Sequence, residues 1–103
     1  DKEEIQMRQM TPTEVQNGLG SNEFEVVDVR EVNEVAQGKI PGAIHIPLGL
    51  LEFRMNELDK NKTYVMVCRS GGRSSRATQF LDYYGYNVIN MQGGMMAWQG
   101  PTE

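Results

Sequence analysis

The chain holds a single cysteine, Cys68, which ends an apolar run and opens a loop in the stretch "YVMVCRSGGRSSRATQFLDYYG", residues 64–85. Arg69, Ser70, Gly71, Gly72, Arg73, Ser74 and Ser75 follow it, and these residue types suit a reactive thiol. A free thiol ionises near about pH 8.5; a helix start and neighbouring arginines lower that value, so Cys68 is expected to be largely thiolate at neutral pH. Gly71 and Gly72 permit a tight curl and a close backbone approach, turning N–H groups towards the sulfur. Arg69 and Arg73 supply permanent charges suited to planar, multi-oxygen anions. Ser74 and Ser75 can cap helix N–H groups or donate a hydroxyl hydrogen bond to the sulfur. A free cysteine at a strand end is ordinarily a small packed residue. The glycine pair, the two arginines and a helix start crowded into one short stretch favour a nucleophile.

The elements that must position this thiol can be read from the surrounding pattern. "TYVMVC" is a near-continuous apolar run of strand length, as expected of a central parallel strand covered on both faces. Beyond Ser74, Ala77, Phe80, Leu81 and Tyr84 recur at helical spacing; this stripe is expected to bury Tyr84, leave Tyr83 free, and end at Gly85 in a left-handed conformation. Upstream, "IQMR" reads as a short strand, and "TPTEVQNGLG" as a helix with Thr11 as N-cap, Pro12 at its first position and Gly18 or Gly20 near its end. "FEVVDVR" reads as a strand, "EVNEVAQG" as a helix closed by Gly38, and "IPGAIHIP" as a strand bracketed by prolines. "LGLLEFRMNEL" gives a helix through Leu51, Met55 and Leu58, "NVIN" a last strand, and "GGMMAWQG" a C-terminal helix. The alternation predicts an α/β fold: an open, mostly parallel five-stranded sheet flanked by helices on both faces. Ligands of such sheets bind outside the carboxyl ends of the strands, where Cys68 lies.

Composition bounds the function classes. With 103 residues, 39% hydrophobic and 23% charged, the chain is expected to form one domain over residues 1–103. One cysteine and one histidine exclude an internal disulfide and a four-ligand protein zinc site. The net charge of −4 argues against nucleic acid, although residues 63–103 carry their only basic groups at Arg69, Arg73 and Arg76, around the cysteine. No apolar stretch approaches the roughly 20 residues of a membrane span, and the charged opening "DKEEIQMRQM" lacks a signal-peptide core, so no membrane partner and a cytoplasmic location are expected. The chain opens on Asp rather than Met, which leaves room for residues upstream.

"CRSGGRS" after an apolar strand resembles the active-site loop of the single-domain rhodanese-like sulfurtransferases. The resemblance extends over about residues 10–100: "VVDVRE" is similar to the family's Asp-x-Arg strand end, "GKIPGAIHIP" to its Gly-His-Ile-Pro-Gly-Ala segment, "LDYYGYNVINMQGG" to its late helix and strand, and "MMAWQG" to its Ala-Trp helix. Lys39 stands where the family commonly has His. The resemblance implies a rhodanese-like fold and a thiosulfate sulfurtransferase. Cys68 would take the outer sulfur of thiosulfate, release sulfite, and hold a persulfide until cyanide or a thiol removes it. The backbone amides of Arg69 to Arg73 would form the cradle, with side chains favouring thiosulfate over mercaptopyruvate. Such ping-pong chemistry needs no metal or organic cofactor. The cellular acceptor could be thioredoxin, glutathione or a sulfur-relay protein.

Rival readings differ in what the thiol does. Cysteine-dependent phosphatases and arsenate reductases place an arginine six positions after the cysteine; here that position is Ser74, and Arg73 comes one place early. A non-catalytic rhodanese-like module that binds a partner or senses redox state would keep the fold with a silent thiol. A cysteine-protease-like pair would need His45, which sits within a short apolar strand and reads as packed structure. Asp28 and Arg30 end a central strand; they either approach the site from the side or, as favoured here, pair with each other to shape a neighbouring loop. Met95, Met96 and Trp98 read as packing.

Overall fold

The computed structural model describes residues 7–103. Its strands are β1 (Gln9–Met10), β2 (Glu25–Asp28), β3 (Ile44–His45), β4 (Thr63–Val67) and β5 (Asn87–Met91), and its α-helices α1 (Pro12–Gly18), α2 (Val32–Val35), α3 (Leu51–Arg54) and α4 (Gly72–Tyr83). Short 3-10 turns occupy Leu48–Leu50, Met55–Glu57 and Gly94–Ala97. The five strands form one sheet in the order β1-β5-β4-β2-β3, and every neighbouring pair is parallel. The predicted α/β class and five-stranded parallel sheet are therefore observed.

Strand periodicity explains the position of Cys68. Successive side chains of β4 alternate between the sheet's two faces. Tyr64, Met66 and Cys68 join Leu81 and Ala77 of α4 in one core cluster, whereas Val65 and Val67 join Val15 of α1 and Met91 in the other. Both faces are covered, which is why β4 reads as continuous apolar sequence rather than alternation. The thiol thus leaves the sheet on the face of α4, one residue beyond the strand.

Local signals act as the sequence suggests at α1, where Thr11 and Glu14 form a reciprocal capping box and Pro12 takes the first turn. Gly85, with φ of 91°, ends α4 in the left-handed region.

Elsewhere the structure corrects the reading. Of the strand expected at residues 5–8, Ile5 and Gln6 lie outside the described residues; the observed strand begins at Gln9, where register with Asn90 of β5 decides it. The strand in "IPGAIHIP" is only Ile44–His45, because Pro41-Gly42 and Pro47 close it in on both sides. The segment through Leu51, Met55 and Leu58 is one α-helical turn that tightens into a 3-10 turn. The C-terminal helix is a 3-10 turn, Gly94–Ala97, opened by two left-handed glycines. Tyr84 is 41% exposed rather than buried, since α4 ends at Tyr83 and the stripe stops at Leu81 with Phe80 half-buried. No helix among the described residues is long and apolar enough to cross a membrane.

Candidate active site

Cys68 lies between the end of β4 and the start of α4, and its Sγ accepts the Gly71 N–H at 3.1 Å. Gly71 makes this possible: it is the N-cap of α4 with φ of 110°, a left-handed conformation that L side chains rarely adopt. No side chain caps α4, so the amides of its first turn are available to the sulfur. Burial pushes the Cys68 thiol up. The Ser74 hydroxyl and the N–H groups of Ser74, Gly71 and Ser70 outweigh that effect and bring it below its ordinary value. The residue is 1% exposed. Two clefts, of about 550 Å³ beside Phe24 and about 460 Å³ beside Tyr83, include no residue of the cysteine loop in their walls.

The loop is clamped from two sides. The 3-10 turn after β5 lies against it, with Met95 N–H donating to the Cys68 carbonyl at 2.8 Å and Met96 N–H to the Arg69 carbonyl at 2.9 Å. From the other side Arg73 reaches Glu34 of α2 through two guanidinium hydrogen bonds, at 2.6 and 2.8 Å. The guanidinium that the sequence offered as an anion recruiter is therefore already matched by a carboxylate. Arg69 is exposed, and it forms no ion pair among the described residues. Glu34 was not picked out in the sequence. Its one signal was an acidic side chain on the helix that follows a strand's carboxyl end.

Glu34 makes a pH-dependent prediction. The Arg73 hydrogen bonds, then the Glu31 N–H, hold its carboxyl down at about 2. An unfolded glutamate ionises near about 4.3, so the pair adds stability above that pH and loses it as acid takes the pH down through about 2. After allowance for partial solvent screening the contribution is about 1 kcal/mol. Glu34→Gln should lower the unfolding free energy obtained from urea titration at neutral pH by that amount, and the gap from the parent protein should narrow towards pH 2. A gap independent of pH would show that the pair does not act through its charge.

Asp28 and Arg30 make a buried pair within β2 and its end: Arg30 Nη2 lies 2.8 Å from Asp28 Oδ2 and also donates to the Gly38 carbonyl at 2.8 Å. His45 Nε2 donates to the Arg30 carbonyl at 2.7 Å. These groups staple the loop after α2 to the sheet, and none of these bonds involves the sulfur. Lys39 pairs with Glu103 at 2.5 Å, and the two residues also exchange backbone hydrogen bonds. Trp98 packs beside Met91 and Val15, while Met96 is exposed.

Comparison with known proteins agrees with this architecture. The family described as "Rhodanese-like domain" matches residues 11–101. The Bacillus subtilis protein YtwF, provisionally named a sulfurtransferase, is 49% identical over 81 residues, covering 79% of each chain. A sulfurtransferase of Allochromatium vinosum is 45% identical over 74 residues, covering 71% of this chain and 69% of its own. The crystal structure of a rhodanese-like domain protein from Staphylococcus aureus superposes with a TM-score of 0.89 at 36% identity, covering 94% of this chain and 97% of the other.

Proposed function

Since this chain belongs to the family of rhodanese-like domains, we propose that it is a thiosulfate sulfurtransferase in which Cys68 carries the sulfur as a persulfide. The observation that supports this reading best is the cradle itself: one sulfur, held by the Gly71 N–H at 3.1 Å within a ring of loop amides, and brought below its ordinary ionisation. The Cys68 thiolate attacks the outer sulfur of thiosulfate. The new S–S bond forms as the old one breaks, and its electron pair leaves with sulfite. The outer sulfur of the persulfide, about 2 Å beyond Sγ, inherits the amide ring as a bound anion. Cyanide or a thiolate then attacks that atom, departing as thiocyanate or a new persulfide and restoring the Cys68 thiolate. No cofactor enters either half-reaction.

Burial favours a small cargo. Only one atom has to enter the cradle, and thiosulfate presents its outer sulfur at an end. Arg69 draws the anion in; Arg73, paired with Glu34, contributes its backbone and a fixed loop closure rather than a free charge. Ser70, Gly71, Gly72 and Ser74 shape the remaining cradle, while Asp28 and Arg30 act only by holding the neighbouring loop. Residues 1–103 serve as one domain, with a core of about residues 10–100, working in the cytoplasm with a thiol or relay protein such as thioredoxin as acceptor. A relative from Bacillus subtilis, provisionally named a sulfur carrier protein, is consistent with a relay; this chain spans 44% of its length.

The test is intact-mass measurement after incubation with thiosulfate. One added sulfur atom is expected, discharged by cyanide with formation of thiocyanate. Absence of both the adduct and thiocyanate overturns the assignment, and turnover of an aryl phosphate dependent on Cys68 would replace it with the phosphatase reading.

A further inference from the structure

Of the arginines that flank the loop glycines, only one is at liberty to meet an anion. Arg69 is exposed and forms no ion pair among the described residues. The Arg73 side chain is 31% exposed, yet Glu34 takes both ends of its fork, Nη1 to Oε1 at 2.6 Å and Nη2 to Oε2 at 2.8 Å. Such a bidentate, charge-assisted pair is among the strong hydrogen-bonded geometries open to a guanidinium. The carboxylate is itself held in place, because Glu34 Oε1 also accepts the Glu31 N–H at 2.8 Å and closes a capping box across α2. A side chain already ordered in this way loses little further freedom on meeting Arg73. The frame beneath is fixed as well. Val29 N–H donates to the Val67 carbonyl at 2.9 Å, which sets the end of β2, and α2 after it, beside the residue that precedes Cys68.

Thiosulfate and sulfite are both anions, and ping-pong transfer must admit the first and release the second through the same opening. Positive charge that holds both alike lowers KM without raising kcat, and it slows the departure of the product. We propose that Glu34 is a positioning residue that withholds the Arg73 charge from the donor, so that the loop holds small oxyanions loosely and through Arg69. This rests on the sulfurtransferase reading for the identity of the anions. The loop does not depend on Glu34 alone for its shape. Met95 and Met96 hold the Cys68 and Arg69 carbonyls, and the buried Ser74 hydroxyl donates to Asn90 Oδ1 of β5 at 2.6 Å, tying the first turn of α4 to the sheet. Loss of the carboxylate therefore releases a charge and leaves the loop in place.

The test uses sulfate, an inert anion with the charge of thiosulfate, and measures the concentration that halves the rate of Cys68 alkylation by iodoacetamide. Ionic strength is held constant and no sulfur donor is present. Glu34→Gln should lower the half-protecting concentration about three- to tenfold, whereas Glu34→Asp keeps the charge and should stay within about twofold of the parent protein. Arg73→Gln leaves Glu34 unmatched and should raise the concentration. The double variant removes both charges together and should return to within about twofold of the parent, which independent losses of packing would not produce. In turnover, Glu34→Gln should lower KM for thiosulfate by about three- to tenfold with kcat no higher. The proposal is overturned by an absence of protection throughout, by an unchanged half-protecting concentration in Glu34→Gln, or by a double variant as tight as Glu34→Gln. Should Glu34→Gln fail to fold, Arg73→Gln decides, and a value equal to the parent's overturns the proposal. Alkylation proceeds whether or not sulfur is transferred. A parent protein that forms no persulfide would sink the proposed activity, while the sulfate data judge the hold of Glu34 on Arg73 separately.

Discussion

Cys68→Ser is expected to lower sulfur transfer from thiosulfate by about 10⁴-fold or more, with the melting temperature within a few degrees of the parent protein. The two readouts separate because the substitution is nearly isosteric. A serine hydroxyl at this position can still accept the Gly71 N–H that the sulfur now accepts at 3.1 Å, and the packing beside Met66 and Ala77 is kept. What disappears is an ionisable, polarisable nucleophile: the amides that suffice to draw a thiol below its ordinary value cannot make an alkoxide at neutral pH. Intact mass should show no sulfur adduct on the variant. Substantial thiocyanate production by a folded Cys68→Ser protein would mean that the sulfur is carried elsewhere.

The second large effect is expected away from the cysteine in sequence. Gly94→Ala should destabilise the fold by about 2–4 kcal/mol, a fall in melting temperature of on the order of 10–20 °C. Gly94 has φ of 60°, and a Cβ there would lie 2.5 Å from the carbonyl carbon and oxygen of Arg69 and 2.6 Å from the Cys68 oxygen. These are backbone atoms of the cysteine loop, so no side chain can swing aside. Relief requires the turn to lift away, stretching the bonds from Met95 and Met96 to the Cys68 and Arg69 carbonyls. Sulfur transfer should therefore fall even at temperatures where the variant is folded. Gly20→Ala is the control: its φ is 81°, yet nothing lies within 4 Å, so only the backbone penalty of about 1 kcal/mol applies. If the two variants melt alike, the close approach at Gly94 does not hold the loop.

Much of the architecture was legible because local and global signals coincide. The apolar run of β4, the Thr11–Pro12 helix start and the stripe of α4 each satisfy a local preference that the sheet then uses. The misread elements are those decided by distant partners. β1 is two residues long and exists where it pairs with Asn90 and Met91, which no local pattern reveals. The final turn, "GGMMAWQG", reads as a helix, but its course is fixed by hydrogen bonds to the cysteine loop far earlier in the chain.

The site divides in the same way. Cys68 with its glycine loop lies within one short stretch, so residue types and spacing were enough to nominate it. Glu34, Asn90 and Gly94 reach that stretch only through the fold. Arg73 shows the limit most clearly: the sequence offers its charge as free, whereas the packing of α2 against the loop gives that charge to Glu34.

The turn that clamps the cysteine loop also orders events in time. During synthesis Cys68 leaves the ribosome well before Gly94, Met95 and Met96, whose backbone groups complete the loop's surroundings. Until they emerge, the loop lacks the two hydrogen bonds, to the Cys68 and Arg69 carbonyls, that hold it from that side.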